Sequence, residues 1–286
     1  MIPLKNIVVI YHAPCPDGFA AAYAAWRKFG DNATYLPAGH RQNFDVNLAG
    51  KEVYMLDFSL KRTQVEIIFA QAKSFYILDH HKTAQEDLAD LSYATFDMHR
   101  SGAGLAWDYF HPSEPRPSLI NFVEDRDLFA WKYKEKTEYF TSNLDTLPYD
   151  FNAWHQVAEL DQHPEDLARF IEVGRQMSEK FQWAARTLAE LAEPVEFHGY
   201  TAGRVNLPSL FTTDVGSYIY ETNGTLALLW RIEGGKLYVS MRSAKGVDVS
   251  AIAKQYGGGG HKNAAGFKLD IKNPETQVFM QRYLFN

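Results

Sequence analysis

With 286 residues, 46% of them hydrophobic and 14% aromatic, the chain is long and apolar enough for two packed cores, which excludes a disordered protein. A single cysteine, Cys15, excludes an internal disulfide, and a formal net charge of −6 argues against a protein that coats long duplex nucleic acid by counterion release. No apolar run reaches membrane-spanning length and no signal-peptide pattern opens the chain, so a cytoplasmic protein without a membrane partner is expected.

In chain order, 6–11 reads as a first buried strand and 17–29 as the helix after it, with Phe19, Ala20, Tyr23, Ala24 and Trp26 near helical spacing. The link His12-Ala13-Pro14-Cys15-Pro16-Asp17-Gly18 is a turn fixed by two prolines, and it presents His12, Cys15 and Asp17. Asp17 by itself reads equally as a helix cap or a ligand. Residues 52–57 form a second strand ending in Asp57, with a helix over 61–72 behind it. A third strand over 74–78 runs into Asp79-His80-His81, and 91–96 is a candidate fourth. Strands alternating with helices of this length predict βαβ units and a parallel sheet.

Ser101 is a candidate helix N-cap, and a helix over 118–124 leads into Asp125 and Asp127. Helical patterning continues over 131–191 and breaks at Ala192-Glu193-Pro194. Beyond the break, a strand over 195–207, a helix over 210–221 and strands over 226–231 and 236–242 make a new unit. Gly257-Gly258-Gly259-Gly260 then leads into His261, Lys262 and a short helix-like segment. Its exposed backbone N–H groups predict an anion-binding nest, with Arg242 and Ser243 as a second source of phosphate-binding groups. The fold class is therefore α/β: a parallel-sheet N-terminal domain with a helical extension over 1–192, a smaller α/β domain over 195–286, and a cleft between them.

The strand-end groups His12, Asp17, Asp57, Asp79, His80, His81 and Asp125 are all expected on one edge of one sheet, where open α/β sheets place their sites. So many polar groups at buried strand ends cost desolvation unless a metal or an anion satisfies them. Carboxylates mixed with imidazoles, without thiolate clusters, suit a pair of Mn2+-like ions better than a structural zinc. Two such ions about 3.5–4 Å apart clamp a phosphoryl group and generate hydroxide. A dinucleotide-binding oxidoreductase would need a glycine fingerprint after the first strand, and the first loop is not one.

At these residues the chain resembles the DHH phosphoesterase superfamily. The His and Asp of the first loop (His12, Asp17), the strand-end Asp57, the Asp79-His80-His81 triplet and an acidic residue before Leu-Phe (Asp125) occur in the family's order. Gly258-Gly259-Gly260-His261 with Asn263-Ala264-Ala265-Gly266-Phe267 resembles the DHH-associated C-terminal domain. The resemblance implies that Asp57 bridges two divalent ions of the Mn2+ kind, with His12 on the first and Asp17, His80 and Asp125 on the second. It implies that His81 meets the scissile phosphate, that Asp57 shares the catalytic role through the ions, and that Arg242, Ser243, Gly258, Gly259, Gly260 and His261 hold the substrate's far end. Asp127 competes with Asp125, whose spacing to Phe129 fits the family better.

The expected activity is Mn2+-dependent hydrolysis of very short single-stranded oligonucleotides, or other small nucleotides, to mononucleotides. The alternatives are a cyclic mono- or dinucleotide phosphodiesterase, a phosphatase of bisphosphorylated nucleosides and, outside enzymology, a nucleotide-binding module. Cys15 stands where family members commonly carry a second carboxylate. A thiol there is expected to be packed or weakly bound, because Mn2+ prefers hard oxygen donors.

Overall fold

The computed structural model describes residues 4–39, 46–223 and 225–285. The chain divides into two compact units, Met1–Ser178 and Glu179–Asn286.

In the first unit β1 (Ile7–His12) is followed by α1 (Pro16–Phe29), β2 (Ala33–Ala38), β3 (Glu52–Leu56), α2 (Arg62–Gln71), β4 (Ser74–Asp79), α3 (Lys82–Leu88) and β5 (Ala94–Phe96). The sheet order is β2-β1-β3-β4-β5 and every pairing is parallel. From β1 the chain crosses outward to β2, and from β3 it proceeds the other way through β4 to β5. The direction of winding therefore reverses between β1 and β3, and a crevice opens at the carboxyl ends of strands at such a point. Strand β2 was not expected from the sequence. Its Pro37 reads as a turn signal, but β2 is an edge strand, where a missing N–H donor is tolerated.

Both faces of this sheet are covered, as parallel strands require. One core holds Val8, Ile10, Val53, Met55 and Ile77 under α2 and α3. The other holds Val9, Leu56 and Leu78 against α1 and α4 (Gly102–Phe110). Each such aliphatic side chain contributes about 1.5–3 kcal/mol by leaving water. Ser101 does cap α4, its hydroxyl accepting from Gly104 N at 3.2 Å. The helices α5 (Ser118–Asp127), α6 (Glu135–Leu144), α7 (Phe151–Ala158) and α8 (Pro164–Ala189) complete the helical part. On α8, Phe170 packs on Phe140, whereas Val173 and Met177 are exposed.

In the second unit β6 (Glu193–Phe197) and β7 (Tyr200–Asn206) form a hairpin where one strand was expected, then come α9 (Thr212–Asn223), β8 (Leu226–Glu233), β9 (Lys236–Ser243), α10 (Val249–Gln255), β10 (Gly259–His261), β11 (Ala264–Asp270) and α11 (Pro274–Tyr283). The sheet order is β10-β11-β9-β8-β7-β6, antiparallel except for β7 and β8, which α9 connects. The helix-like segment expected after the glycine run is instead a β-hairpin. Gly258 and Gly260 have strand backbone against them: a Cβ on Gly258 would fall 2.2 Å from Gly266 O, and one on Gly260 2.6 Å from Ala264 O. Those glycines let strands close up, which a run of four permits as readily as an anion nest.

Candidate metal centre

Asp57 lies at the centre of the cluster. It follows β3 directly, and its backbone N–H donates to Leu78 O of β4 at 2.9 Å. Its φ of +61° puts it in the left-handed region, where an aspartate is tolerated better than most residues. The residue is buried, with only 1% exposure. Oδ2 lies 3.2 Å from His12 Nδ1 at the end of β1, and Oδ1 lies 3.2 Å from His80 Nε2 after β4. The strand ends on either side of the winding reversal thus converge on one carboxylate.

Helix α4 approaches this carboxylate so closely that a Cβ on Gly102 would fall 2.4 Å from Asp57 Cβ and 2.7 Å from Oδ1. Its first turn also answers the question left open for Asp17. Gly102 N donates to Asp17 Oδ2 at 2.7 Å and Ala103 N to Oδ1 at 2.9 Å, so Asp17 caps α4 rather than its own helix. The same Oδ2 is 3.6 Å from His80 Nε2. Asp17 is therefore both a cap and a member of the cluster.

The fourth acidic position requires a correction. Asp125 turns away from the cluster: Lys132 N donates to its Oδ1 at 2.7 Å, and Tyr133 N at 3.2 Å and the Thr137 hydroxyl donate to its Oδ2. Asp127 Oδ2, instead, lies 3.6 Å from His80 Nε2. Two residues along a helix rotate the side chain by about 200°, so only one of the pair can face the strand ends. Asp125 holds the α5–α6 loop, in which Phe129, Trp131 and Lys134 have positive φ.

Asp79, the first residue of the triplet, supports the histidines. Its Oδ1 accepts from His80 N at 2.7 Å and His81 N at 3.1 Å and pairs with His81 Nδ1 at 2.7 Å, while Ser59 Oγ donates to Oδ2 at 2.6 Å. Sequence reading placed Asp79 among the strand-end site groups without assigning it this supporting part, and did not single out Ser59. The signal available was a carboxylate at a buried strand end with a hydroxyl two residues beyond the neighbouring strand's aspartate.

Charge in the cluster is unbalanced. Burial pushes Asp17 up, and the charges of Asp57 and Asp127 add to it; burial likewise raises Asp127. Burial opposes ionisation of Asp57, but the hydrogen bond with His12 and the ion pair with His80 prevail and hold it at about 2. The hydrogen bond with Asp57 lifts His12 to about 10, and the one with Asp79 raises His81. Around Asp57, ligand atoms of His12 and Cys15, of His80 and His81, and of Asp17, His80 and Asp127 form overlapping groups within 4.8 Å. Asp57 Oδ1 is buried without a hydrogen-bond partner among the described residues, since His80 is at ion-pair distance but not in hydrogen-bond geometry. An orphaned buried carboxylate oxygen in a cluster of imidazoles and carboxylates, the usual donors to a divalent ion, fits divalent metal. A pocket of about 200 Å3 opens beside it, lined among others by Cys15, Asp17, Arg126, Asp127 and Phe129.

The substrate-binding candidates of the second unit separate into two groups. The Arg242 guanidinium is half-buried, donates to Met241 O at 3.0 Å and Thr213 Oγ1 at 3.3 Å, and has no acidic partner among the described residues. Arg242 opposes Ala264, which opposes exposed His261 across the next pairing. Ser243 is buried instead; its hydroxyl donates to Val247 O at 2.9 Å and accepts from Asn263 at 3.1 Å, fixing the turn between.

A model of the DHHA1 domain matches residues 215–281, the span that holds Arg242 and the glycine hairpin. Residues 215–281 are thus similar to the DHH-associated C-terminal domain. Among curated relatives, an uncharacterized protein of Acanthamoeba polyphaga mimivirus is 30% identical over 285 residues, covering 91% of this chain and 66% of its own length. The chain thus spans just under two thirds of that relative. Its fold is shared with a pGpG-specific phosphodiesterase of Vibrio cholerae (TM-score 0.56, 11% identity, 97% of each chain covered). It is also shared with an exopolyphosphatase-related protein of Bacteroides fragilis (TM-score 0.51, 13% identity, 97% of this chain and 91% of that one).

Proposed function

We propose that this protein is a metal-dependent phosphodiesterase of the DHH superfamily that hydrolyses very short single-stranded oligonucleotides, linear dinucleotides first among them, to nucleoside monophosphates. The observation that carries the reading is the convergence of His12, Asp17, His80 and Asp127 on Asp57 and its orphaned oxygen. His12 and Asp57 would hold a first divalent ion, and Asp57, Asp17, His80 and Asp127 a second; Mn2+ suits the oxygen-rich set. Bound there, the ions supply Lewis-acid activation and a water of lowered pKa.

The protein's own groups do the rest. Asp17 is held by the backbone of α4, so it keeps its place without a side-chain rearrangement. Asp79 fixes the His81 ring through Nδ1 and favours its protonated form, and we assign the protonated ring to a phosphoryl oxygen as charge develops on it. Arg242, lacking an acidic partner among the described residues, is the group we assign to a remote phosphate, with His261. A linear dinucleotide is placed first because the fold's pGpG-specific member acts on one.

Purified protein with Mn2+ is to be incubated with 5′-labelled dinucleotides, longer oligomers, cyclic nucleotides and bisphosphorylated nucleosides. Fastest release of mononucleotides from dinucleotides is expected. Preferential turnover of long strands would overturn the short-substrate reading, and preference for a cyclic or bisphosphorylated compound would reassign the substrate.

A further inference from the structure

We propose that Cys15 is a thiolate ligand of the first ion, so that the two halves of the centre differ in softness: His12–Cys15–Asp57 takes a borderline ion of the Zn2+ or Co2+ class, and the set around His80 takes a harder one. The inference rests on the metal-dependent reading above and adds to it which ion each half selects.

Three observations place the sulfur. First, ligand atoms of His12, Cys15 and Asp57 lie within 4.8 Å of one another. Ligands at about 2.0 and 2.3 Å from one ion sit no more than about 4.3 Å apart, so shifts of about 1 Å close this triad on an ion. Secondly, Asp57 is buried to 1% exposure and its Oδ1 has no hydrogen-bond partner among the described residues. Oδ1 faces His80 of the second half at 3.2 Å and Oδ2 faces His12 of the first at 3.2 Å, so the one carboxylate is offered to both halves. Thirdly, Cys15 is not packed away in a core. It is part-exposed, lines the pocket shared with Asp17 and Asp127, and occupies the extended position before α1 between Pro14 and Pro16.

Sequence reading expected a packed or weakly held thiol. The structure removes the first alternative, and the chemistry of the donor set argues against the second. A set of one imidazole, one thiolate and one carboxylate is a zinc-type donor set, whereas Asp17, His80, Asp127 and Asp57 provide one imidazole and three carboxylates. Binding of the ion takes the proton from the thiol as the metal–sulfur bond forms, and that proton leaves to solvent.

The test uses the full chain freed of metal and titrated with Co2+, read by electronic absorption. Wild type should develop a thiolate-to-cobalt charge-transfer band that Cys15→Ser and Cys15→Asp lack, while both variants still bind Co2+ at the second half. First-half Zn2+ affinity should fall by about tenfold or more in Cys15→Ser, and Cys15→Asp should lower the Mn2+ concentration that fills it. Circular dichroism checks that the variants fold. Two Co2+ ions bound without a charge-transfer band, or unchanged affinity in Cys15→Ser, would overturn the thiolate ligand and leave the phosphodiesterase reading standing. No Co2+, Zn2+ or Mn2+ bound at either half would overturn the metal-dependent reading itself, and this proposal with it.

Discussion

Gly102 in the first unit and Gly258 in the second are both positions with no room for a side chain, yet different groups crowd them. At Gly102 the crowding group is the carboxylate of Asp57; at Gly258 it is the backbone of β11. The first glycine brings a helix N-terminus up to a charged cluster, and the second lets two strands close. A glycine in a motif therefore carries no chemistry by itself, and what a Cβ would strike decides whether it serves a site or a sheet.

Asp57 has no counterpart among the described residues of the second unit. Asp57→Asn should weaken both ions and lower hydrolysis by about 10³-fold or more, the equivalent of several kcal/mol of lost charge stabilisation, with circular dichroism unchanged. Persistent stoichiometric binding of two ions in a metal titration would refute its bridging place. Next come the two histidines. His81→Ala should lower kcat by about 10²–10³-fold with little change in KM, whereas His261→Ala should act mainly on KM. Equal losses in kcat alone would erase the division between the units.

Asp127→Asn and Asp125→Asn should have different effects within the first unit. The former should cost one ion about 10–100-fold in affinity, and the latter should lower the thermal midpoint while metal binding largely survives. The reverse pattern would restore Asp125 as the ligand. Gly102→Ala and Gly258→Ala should each destabilise by about 1–3 kcal/mol through overpacking, and only Gly102→Ala should also weaken metal binding. Matching metal affinities would show that α4 yields without moving Asp57.

The smallest expected effect is on pH. In metal-free protein the stabilisation from His12, raised from 6.5 to about 10, is fully present below 6.5 and lost as pH climbs through about 10. That from Asp57, lowered from 3.8 to about 2, is present above 3.8 and lost as pH falls through about 2. The thermal midpoint should therefore decline between pH 7 and pH 10, and less so in Asp57→Asn. Identical slopes in the two proteins would count against the His12–Asp57 pair.

Much of the first unit was legible because its buried strands stop abruptly in polar residues: β1 in His12, β3 before Asp57, β4 in Asp79. The parallel order and the meeting of His12, Asp57 and His80 follow from that pattern. What was not legible depended on rotation or partner. Asp125 and Asp127 leave α5 on opposite sides, and no local pattern says which side faces the strand ends. The strand β2 was hidden by Pro37, which only its edge position excuses. The glycine run suggested a nest because its real neighbour, β11, follows it only through a tight hairpin. Asp79 drew notice as part of a triplet, but its work is done through hydrogen bonds to its own successors.

The left-handed backbone at Asp57 bears on descent. Among side chains, that conformation is easiest for asparagine, aspartate and glycine, and of these only aspartate carries charge. A lineage released from selection for activity can therefore neutralise the central acid with little disturbance to the turn. Among homologues, Asn or Gly at this position would mark chains that kept the architecture after giving up the chemistry.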